Sequence, residues 1–447
     1  MSANALSQHY ADQVQHLQEI LPEGLPEWLA GRRRGAAVRF AEAGFPDPRM
    51  EEWKYTNVRP IATKPFVAAA GDADVSADTV RALGFDGLDA YRMVFVDGRL
   101  RRDLSNLAGL PEGAVVQGLG EALATDPDPL EPFLATLAHD RFSSFAALNT
   151  AFMNDGAVVR LAPGVRLERP LHLLLLGSAG DAPTWSHPRV LIQAGEGAEA
   201  TVIEHYADLP GANGFTNTVT ELRAEAGARV RHYLLQDHAD GAYHVGSVFV
   251  QQRRDSRVTS HNVNLGGRLV RHDLNVDLTE PGAEIELLGL FLAGGRQHVD
   301  THTRVHHLSP HTTSRERYRG IGQGHGRGVF KGRVLVDQGA QKTDAQQHSA
   351  NLLLSPNAEI DTKPELEIYA DDVKCAHGAT VGQLDETSLY YLRSRGIGEA
   401  EAREMLVFAF ADEVLESMDL EPLRANIEAR LAARLPGGMA MAATAPA

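Results

Sequence analysis

The sequence predicts a mainly β protein, with a stacked solenoid of short strands between an N-terminal helical, mixed α/β region and a C-terminal helical domain. Three observations carry that reading. A turn-then-strand start recurs through the middle of the chain, at Gly164-Val-Arg-Leu, Gly197-Ala-Glu-Ala, Gly227-Ala-Arg-Val, Gly282-Ala-Glu-Ile and Gly339-Ala-Gln-Lys. Helical periodicity is confined to the two ends of the chain. The composition, 42 glycines with only 6% aromatic residues, suits tight turns and repetitive β structure. A chain of 447 residues has room for two or three domains or one long repetitive one. With 43% hydrophobic residues it can bury a sizeable core.

Residues 1–155 form the N-terminal region. Leu6, Tyr10, Val14, Leu17 and Leu21 share one helix face, and Pro22 stops that helix. Pro26 opens a second helix near Trp28 and Leu29. The run Arg32, Arg33 and Arg34 reads as a solvated helix face in preference to a phosphate patch. A breaker-rich loop from Gly44 to Thr56 follows, carrying Trp53 and Tyr55. Arg92 to Leu100 reads as a hairpin turning at Asp97-Gly98, a pair suited to positive φ. A further helix is expected over roughly Glu131 to Met153.

Residues 156–380 form the repetitive core. The five clear turn copies are separated by 33, 30, 55 and 57 residues, the last two close to twice ~28. Degenerate copies fall near Ser256 and Asn357. A unit of that length with two or more short strands is what a stacked β solenoid shows; a sandwich with evenly spaced hairpins is the alternative. Residues 381–435 return to helix. Asp385 caps a helix over Thr387 to Arg395, which Gly396 ends in a left-handed conformation. Helices over Gly398 to Met418 and Leu420 to Leu435 follow, the last with Leu423, Ile427 and Leu431 on one face. The tail, residues 436–447, is expected to be disordered.

Charge and motifs exclude several functions. Lys plus Arg number 43 against 59 Asp plus Glu, a net charge of −16 that argues against binding nucleic acid or an anionic membrane. The longest apolar run, Leu173 to Leu176, falls far short of the ~20 residues of a membrane span. The N-terminus lacks the apolar core of a secretory signal, so a cytoplasmic location is expected. The single cysteine, Cys375, excludes an intramolecular disulfide and any metal centre held by several cysteines of this chain. Gly320 to Gly328 alternates glycine without dinucleotide or P-loop spacing and reads as a tight connection.

Two clusters carry metal-ligating residue types. In His298-Val-Asp-Thr-His-Thr-Arg-Val-His-His307 the β-branched residues argue for a strand. His298, Asp300, His302, Arg304 and His306 then share one face, a polar ladder whose central arginine opposes a cation. In Cys375-Ala-His377 an extended backbone turns thiol and imidazole the same way, a pair suited to iron or zinc. Two ligands do not close a site, so a metal there needs a partner chain; a packed cysteine beside a hydrogen-bonded histidine is the alternative.

Several segments together resemble the SufB/SufD family of iron–sulfur assembly proteins: Lys342-Thr-Asp-Ala345, Asn351-Leu-Leu-Leu-Ser355, Thr362-Lys-Pro-Glu-Leu366, Ala370 to Glu386 and Tyr391-Leu-Arg-Ser-Arg-Gly-Ile397. Lys374-Cys-Ala-His-Gly378 and Glu51-Glu-Trp-Lys-Tyr-Thr56 match the SufD form, and the additional cysteines expected of SufB are missing. Ala376 stands where the family often has serine. The resemblance implies a right-handed parallel β-helix core between helical regions, in a non-enzymatic scaffold subunit. It implies pairing with a SufB-like paralogue, and docking of a SufC-like ABC ATPase on roughly Gln383 to Ala432. It further implies transient iron or a nascent iron–sulfur cluster at the paired interface, with His377 as this chain's candidate metal ligand and Cys375 close by. A homodimer in isolation, a purely structural pairing module and a β-helix enzyme acting on acidic polysaccharide with Ca²⁺ stay open at this point.

Overall fold

The structure, a computed structural model, describes residues 25–69, 73–138, 143–180 and 182–435. The helix expected over Leu6 to Leu21 and the tail from 436 lie outside the described residues.

The N-terminal region runs through α1 (Glu27–Ala43), α2 (Arg59–Ala62), β1 (Val67–Ala68), α3 (Ala77–Leu83), β2 (Tyr91–Val96), β3 (Arg99–Leu100), β4 (Ala114–Gly118), α4 (Leu119–Thr125) and α5 (Ser144–Phe152). As expected, Pro26 immediately precedes α1, and β2 turns into β3 at Asp97 (φ 52°) and Gly98 (φ 77°). Of the arginine run, Arg34 stays on a solvated face, paired with Glu27, while the other two turn inward. Arg33 is 6% exposed and its Nε donates to Ala151 O at 3.0 Å, while Arg32 donates to the carbonyls of Glu131 and Leu134. These bonds pin α1 to α5 and to the segment before it.

The helix expected from Glu131 begins only at Ser144. Between them Ala135 takes φ 57°, and the N–H groups of Ala135, Thr136 and Leu137 converge on the Glu221 carboxylate at 2.7, 2.9 and 2.7 Å. Glu221 also accepts from Arg189 Nη2 at 2.5 Å, and both side chains are fully buried. A buried carboxylate demands such donors, and a regular helix would have spent those N–H groups on its own carbonyls.

The core continues with β5 (Gly156–Leu161), β6 (Leu171–Gly177), β7 (Thr184–Ser186), β8 (Arg189–Ala194), β9 (Glu199–Asp208), β10 (Phe215–Ala224), β11 (Arg229–Asp237), β12 (Tyr243–Gln252) and β13 (Arg257–Asn264). It then adds β14 (Leu269–Leu278), β15 (Glu284–Ala293), β16 (His298–His307), β17 (Thr313–Gly322), β18 (Arg327–Val336), β19 (Asp344–Leu353), β20 (Glu359–Ile368) and β21 (Lys374–Gly382). Strands β5, β8, β10 and onward by twos to β20 form one parallel ladder; β6, β9, β11 and onward to β21 form the other. The chain is therefore a parallel β-solenoid of about eight coils, two long strands to a coil.

The coils are stacked through their turns. Gly164, Gly197, Gly227 and Gly282 take φ between 65° and 77°, and Asp255, His311 and Lys342 take 55°, 59° and 63° at the corresponding corners. Each donates its N–H to the next corner, as from Gly227 to Arg254 O at 2.8 Å and from His311 to Gln341 O at 2.9 Å. The fifth sequence copy is thus displaced: the left-handed corner is Lys342, not Gly339.

Alternate side chains point into the lumen, where Leu222, Val250, Val276 and Val305 stack in register. The N-terminal region covers the outside of the first ladder and caps the first coil through β4 on β5 and β2 on β6. The second ladder is covered by α7 (Glu399–Leu415) and α8 (Glu421–Arg434), with α6 (Glu386–Ser394) packed on α7. Val407, Ala411, Leu415, Leu423, Ile427 and Leu431 pack there on Tyr233, Leu235, Leu290 and Ile321. Asp385 accepts from Thr387 N and Ser388 N, and Gly396 takes φ 89°. Among the described residues no helix is long and apolar enough to cross a membrane.

Candidate functional site

The solenoid is capped at its first coil and open at its last. Among the described residues β20 pairs only with β18, and β21 only with β19, so each carries one free edge. The two edges differ chemically. In β20, Glu359 N donates to Gly326 O and Tyr369 N to Val336 O, so odd-numbered residues bond inward. Pro364 therefore faces the free edge, the one side of an edge strand where a missing N–H costs no ladder bond. In β21, Lys374 N donates to Thr343 O at 2.8 Å, so even-numbered residues bond inward. Cys375, His377, Ala379 and Val381 leave their N–H and C=O groups free for another strand.

Cys375 and His377 share the lumen-facing side of β21, as their spacing predicts. Cys375 stacks on Ala345 and His377 on Gln347. Their surroundings diverge. Cys375 is half-buried against Val334, Val336, Ala345 and Ala370, and burial pushes its thiol pKa up, away from the thiolate that binds metal. His377 is exposed at the mouth of the lumen; a cavity of about 490 Å³ lies on the opposite, outer face of the ladder, lined by the alternate residues Arg315, Arg317, Gln346 and His348. Among the described residues no three His, Cys, Asp or Glu side chains gather as a metal site. The pair is thus an open half-site.

Below His377 the lumen is polar. Glu316, Gln347 and His377 occupy one register column on three successive coils. Glu316 Oε2 accepts from Thr303 Oγ1 at 2.6 Å and its Oε1 from Gln347 Nε2 at 3.2 Å. Burial pushes the Glu316 carboxyl up to about 7, the two hydrogen bonds only partly offsetting it. Sequence reasoning missed Glu316 and Gln347. Their signal was the coil length, which places residues about 30 apart in one column, but that length varies from coil to coil.

The histidine-rich strand β16 resolves differently. Val299, Thr301, Thr303 and Val305 face the lumen and the polar set faces out, as predicted. That face is roofed by the segment Glu51 to Thr56. Thr56 Oγ1 donates to Asp300 Oδ2 at 2.5 Å, and Arg271 donates to Asp300 at 2.7 Å and to Glu52 O at 2.8 Å. The Arg271 guanidinium lies 3.9 Å from the Trp53 ring centroid, and Lys331 Nζ bonds Glu52 at 3.0 Å. Burial opposes the His302 charge, but Asp300 and Glu52 raise its pKa above the ordinary value. The ladder is an inter-coil network that fastens the N-terminal region to the solenoid, with the Arg271 guanidinium paired to both Asp273 and Asp300.

Two family descriptions match the chain: "SUF system FeS cluster assembly, SufBD core domain" over residues 176–410, and "SufBD protein N-terminal region" over residues 4–173. The chain belongs to the SufBD family. An iron–sulfur cluster assembly SufBD family protein of Synechocystis is 36% identical over 409 residues, covering 89% of each chain. The iron–sulfur cluster assembly protein SufD of Escherichia coli is 34% identical over 403 residues, covering 90% of this chain and 92% of that one. Protein ABCI7, chloroplastic, of Arabidopsis thaliana is 31% identical, covering 88% and 83%. Membership assigns this SufBD chain to iron–sulfur cluster assembly and accounts for the solenoid between two helical regions.

Proposed function

We propose that this SufBD protein is a non-catalytic scaffold subunit that pairs with a SufB-like paralogue through the open coil β20–β21. A SufC-like ATPase docks on its C-terminal helices, and His377 ligates iron or the nascent cluster at the paired interface. The observation that carries the reading is the placement of His377: it is exposed on the lumen side of the last strand, whose outer backbone groups await another strand. An imidazole there completes a metal site only with donors from across the interface, as an assembly intermediate requires. Cys375, packed and held as a thiol, stands beside the site as a packing residue. Tyr390 and Tyr391 on α6, 74% and 58% exposed, offer the ATPase an aromatic docking surface tied to the solenoid through α7 and α8. Iron is cargo in this scheme, and ATP hydrolysis belongs to the partner.

Pairing is tested by Ala379→Pro. Its N–H faces the free edge, so proline removes a donor for the partner strand and none from the ladder with β19. Co-purification with the paralogue should weaken at least tenfold while the isolated chain keeps its melting temperature. Undiminished co-purification would place the interface elsewhere on the chain.

A further inference from the structure

The lumen ends in a file of polar side chains in a surrounding of Val, Ala and Leu, and one atom of that file has no use within the fold. Gln347 is 2% exposed and Glu316 1%. Glu316 reaches across the lumen to Thr303 on β16, and Gln347 reaches over Gly332 on β18, one coil higher. Thr303 and Gly332 are themselves register partners, so the two side chains lie one above the other. Gln347 Nε2 donates to Glu316 Oε1 at 3.2 Å, which turns the NH₂ of the amide toward Glu316. Its Oε1 is then aimed away from Glu316, buried and without a hydrogen-bond partner among the described residues. Leaving such an acceptor unpaired costs ~1–3 kcal/mol. The residue directly above it in register is His377, at the ~4.8 Å spacing of adjacent strands, within reach of an imidazole.

We propose that Gln347 and Glu316 are positioning residues for His377: Gln347 Oε1 accepts the one N–H of the neutral His377 ring, and Glu316 fixes which way round the amide stands. A neutral imidazole carries one N–H and one lone pair. Tying the N–H down into the lumen turns the lone pair outward, to the interface where iron is to be held. This is the outer-shell arrangement that sets tautomer and ring orientation in histidine metal sites, and its loss typically lowers metal affinity ~10–100-fold. Gly332 belongs to the device. A Cβ there would come within 2.1 Å of Gln347 Nε2, so only glycine leaves the amide its place.

The inference rests on the reading of His377 as a ligand, and its test separates the two. Nitrogen-15 NMR of the isolated, metal-free chain labelled at histidine reports the tautomer of His377, assigned by its disappearance in His377→Ala. One dominant tautomer is expected in the wild type. Gln347→Met, of similar volume, and Gly332→Ala, which displaces the amide without altering it, should each restore the mixture of an unrestrained histidine. Glu316→Gln should loosen the preference. A mixed tautomer in the wild type, or a ratio unmoved by both Gln347→Met and Gly332→Ala, overturns the proposal. In the assembled complex, Gln347→Met should retain about tenfold less iron at limiting metal. If the tautomer responds while iron content ignores His377 altogether, the positioning column stands and the ligand role falls.

Discussion

The buried carboxyl near the open end gives a prediction whose sign and size follow from its surroundings. Burial raises Glu316 from 4.5 to about 7. Between those values the folded chain still holds a proton that the unfolded chain has released. Stability therefore falls as pH rises from about 4.5 to about 7, and the contribution is flat above. At ~1.4 kcal/mol per unit, a shift of this size corresponds to about 3 kcal/mol at neutral pH. Glu316→Gln keeps the volume and a carbonyl acceptor for Thr303 while removing the titration. The variant should match the wild type near pH 5 and exceed it by up to about 3 kcal/mol at pH 8. Urea midpoints measured across this range for both proteins give the difference, in which every other titrating group cancels. Parallel curves would refute the reasoning, because they would mean that Glu316 is solvated or already ionised in the fold.

Other consequences are checked with the same tools. Glu221→Gln leaves Arg189 as an uncompensated buried charge and weakens the bonds from residues 135–137. It should cost about 3–5 kcal/mol, read as a lowered urea midpoint. Gly289→Ala puts a Cβ 2.0 Å from Tyr318 Cε1 inside the lumen and should cost about 1–3 kcal/mol, whereas Gly197→Ala, with open space around its Cβ, costs only the strain of its left-handed φ. Cys375, its thiol pKa raised by burial, should react with iodoacetamide at pH 7.5 more slowly than glutathione does. Unfolding the chain should abolish that difference.

The solenoid was legible because glycine marks a left-handed corner, and it was legible only where glycine occupies one. Asp255, His311 and Lys342 take the same conformation. Without glycine they left at most a degenerate copy, as near Ser256, so two of the intervals between clear copies spanned two coils. The Asp97-Gly98 hairpin and the caps of α6 could be read because their determinants lie within a few residues. The helix expected from Glu131 failed for the opposite reason: the Glu221 carboxylate that reorganises residues 135–137 lies more than 80 residues away. At the site, strand parity correctly put Cys375 and His377 on one face and the outward set of β16 on another. Parity carries no information about the next coil. The roof of Glu52, Trp53 and Thr56 over β16, and the column of Glu316 and Gln347 under His377, depend on contacts that only the closed coil brings together.

The central claim is that the open last coil is a pairing surface where His377 holds iron. Its most direct test is native mass spectrometry of the chain co-expressed with a SufB-like paralogue and a SufC-like ATPase, with iron determined on the same assembly. The account predicts a species containing all three proteins that retains iron in the wild type. With His377→Ala the same assembly should form, since the side chain is exposed and its removal leaves only the Gln347 acceptor unpaired, a cost of ~1–3 kcal/mol, but it should hold little iron. Equal iron in both assemblies, or no joint assembly with all partners folded, would contradict it.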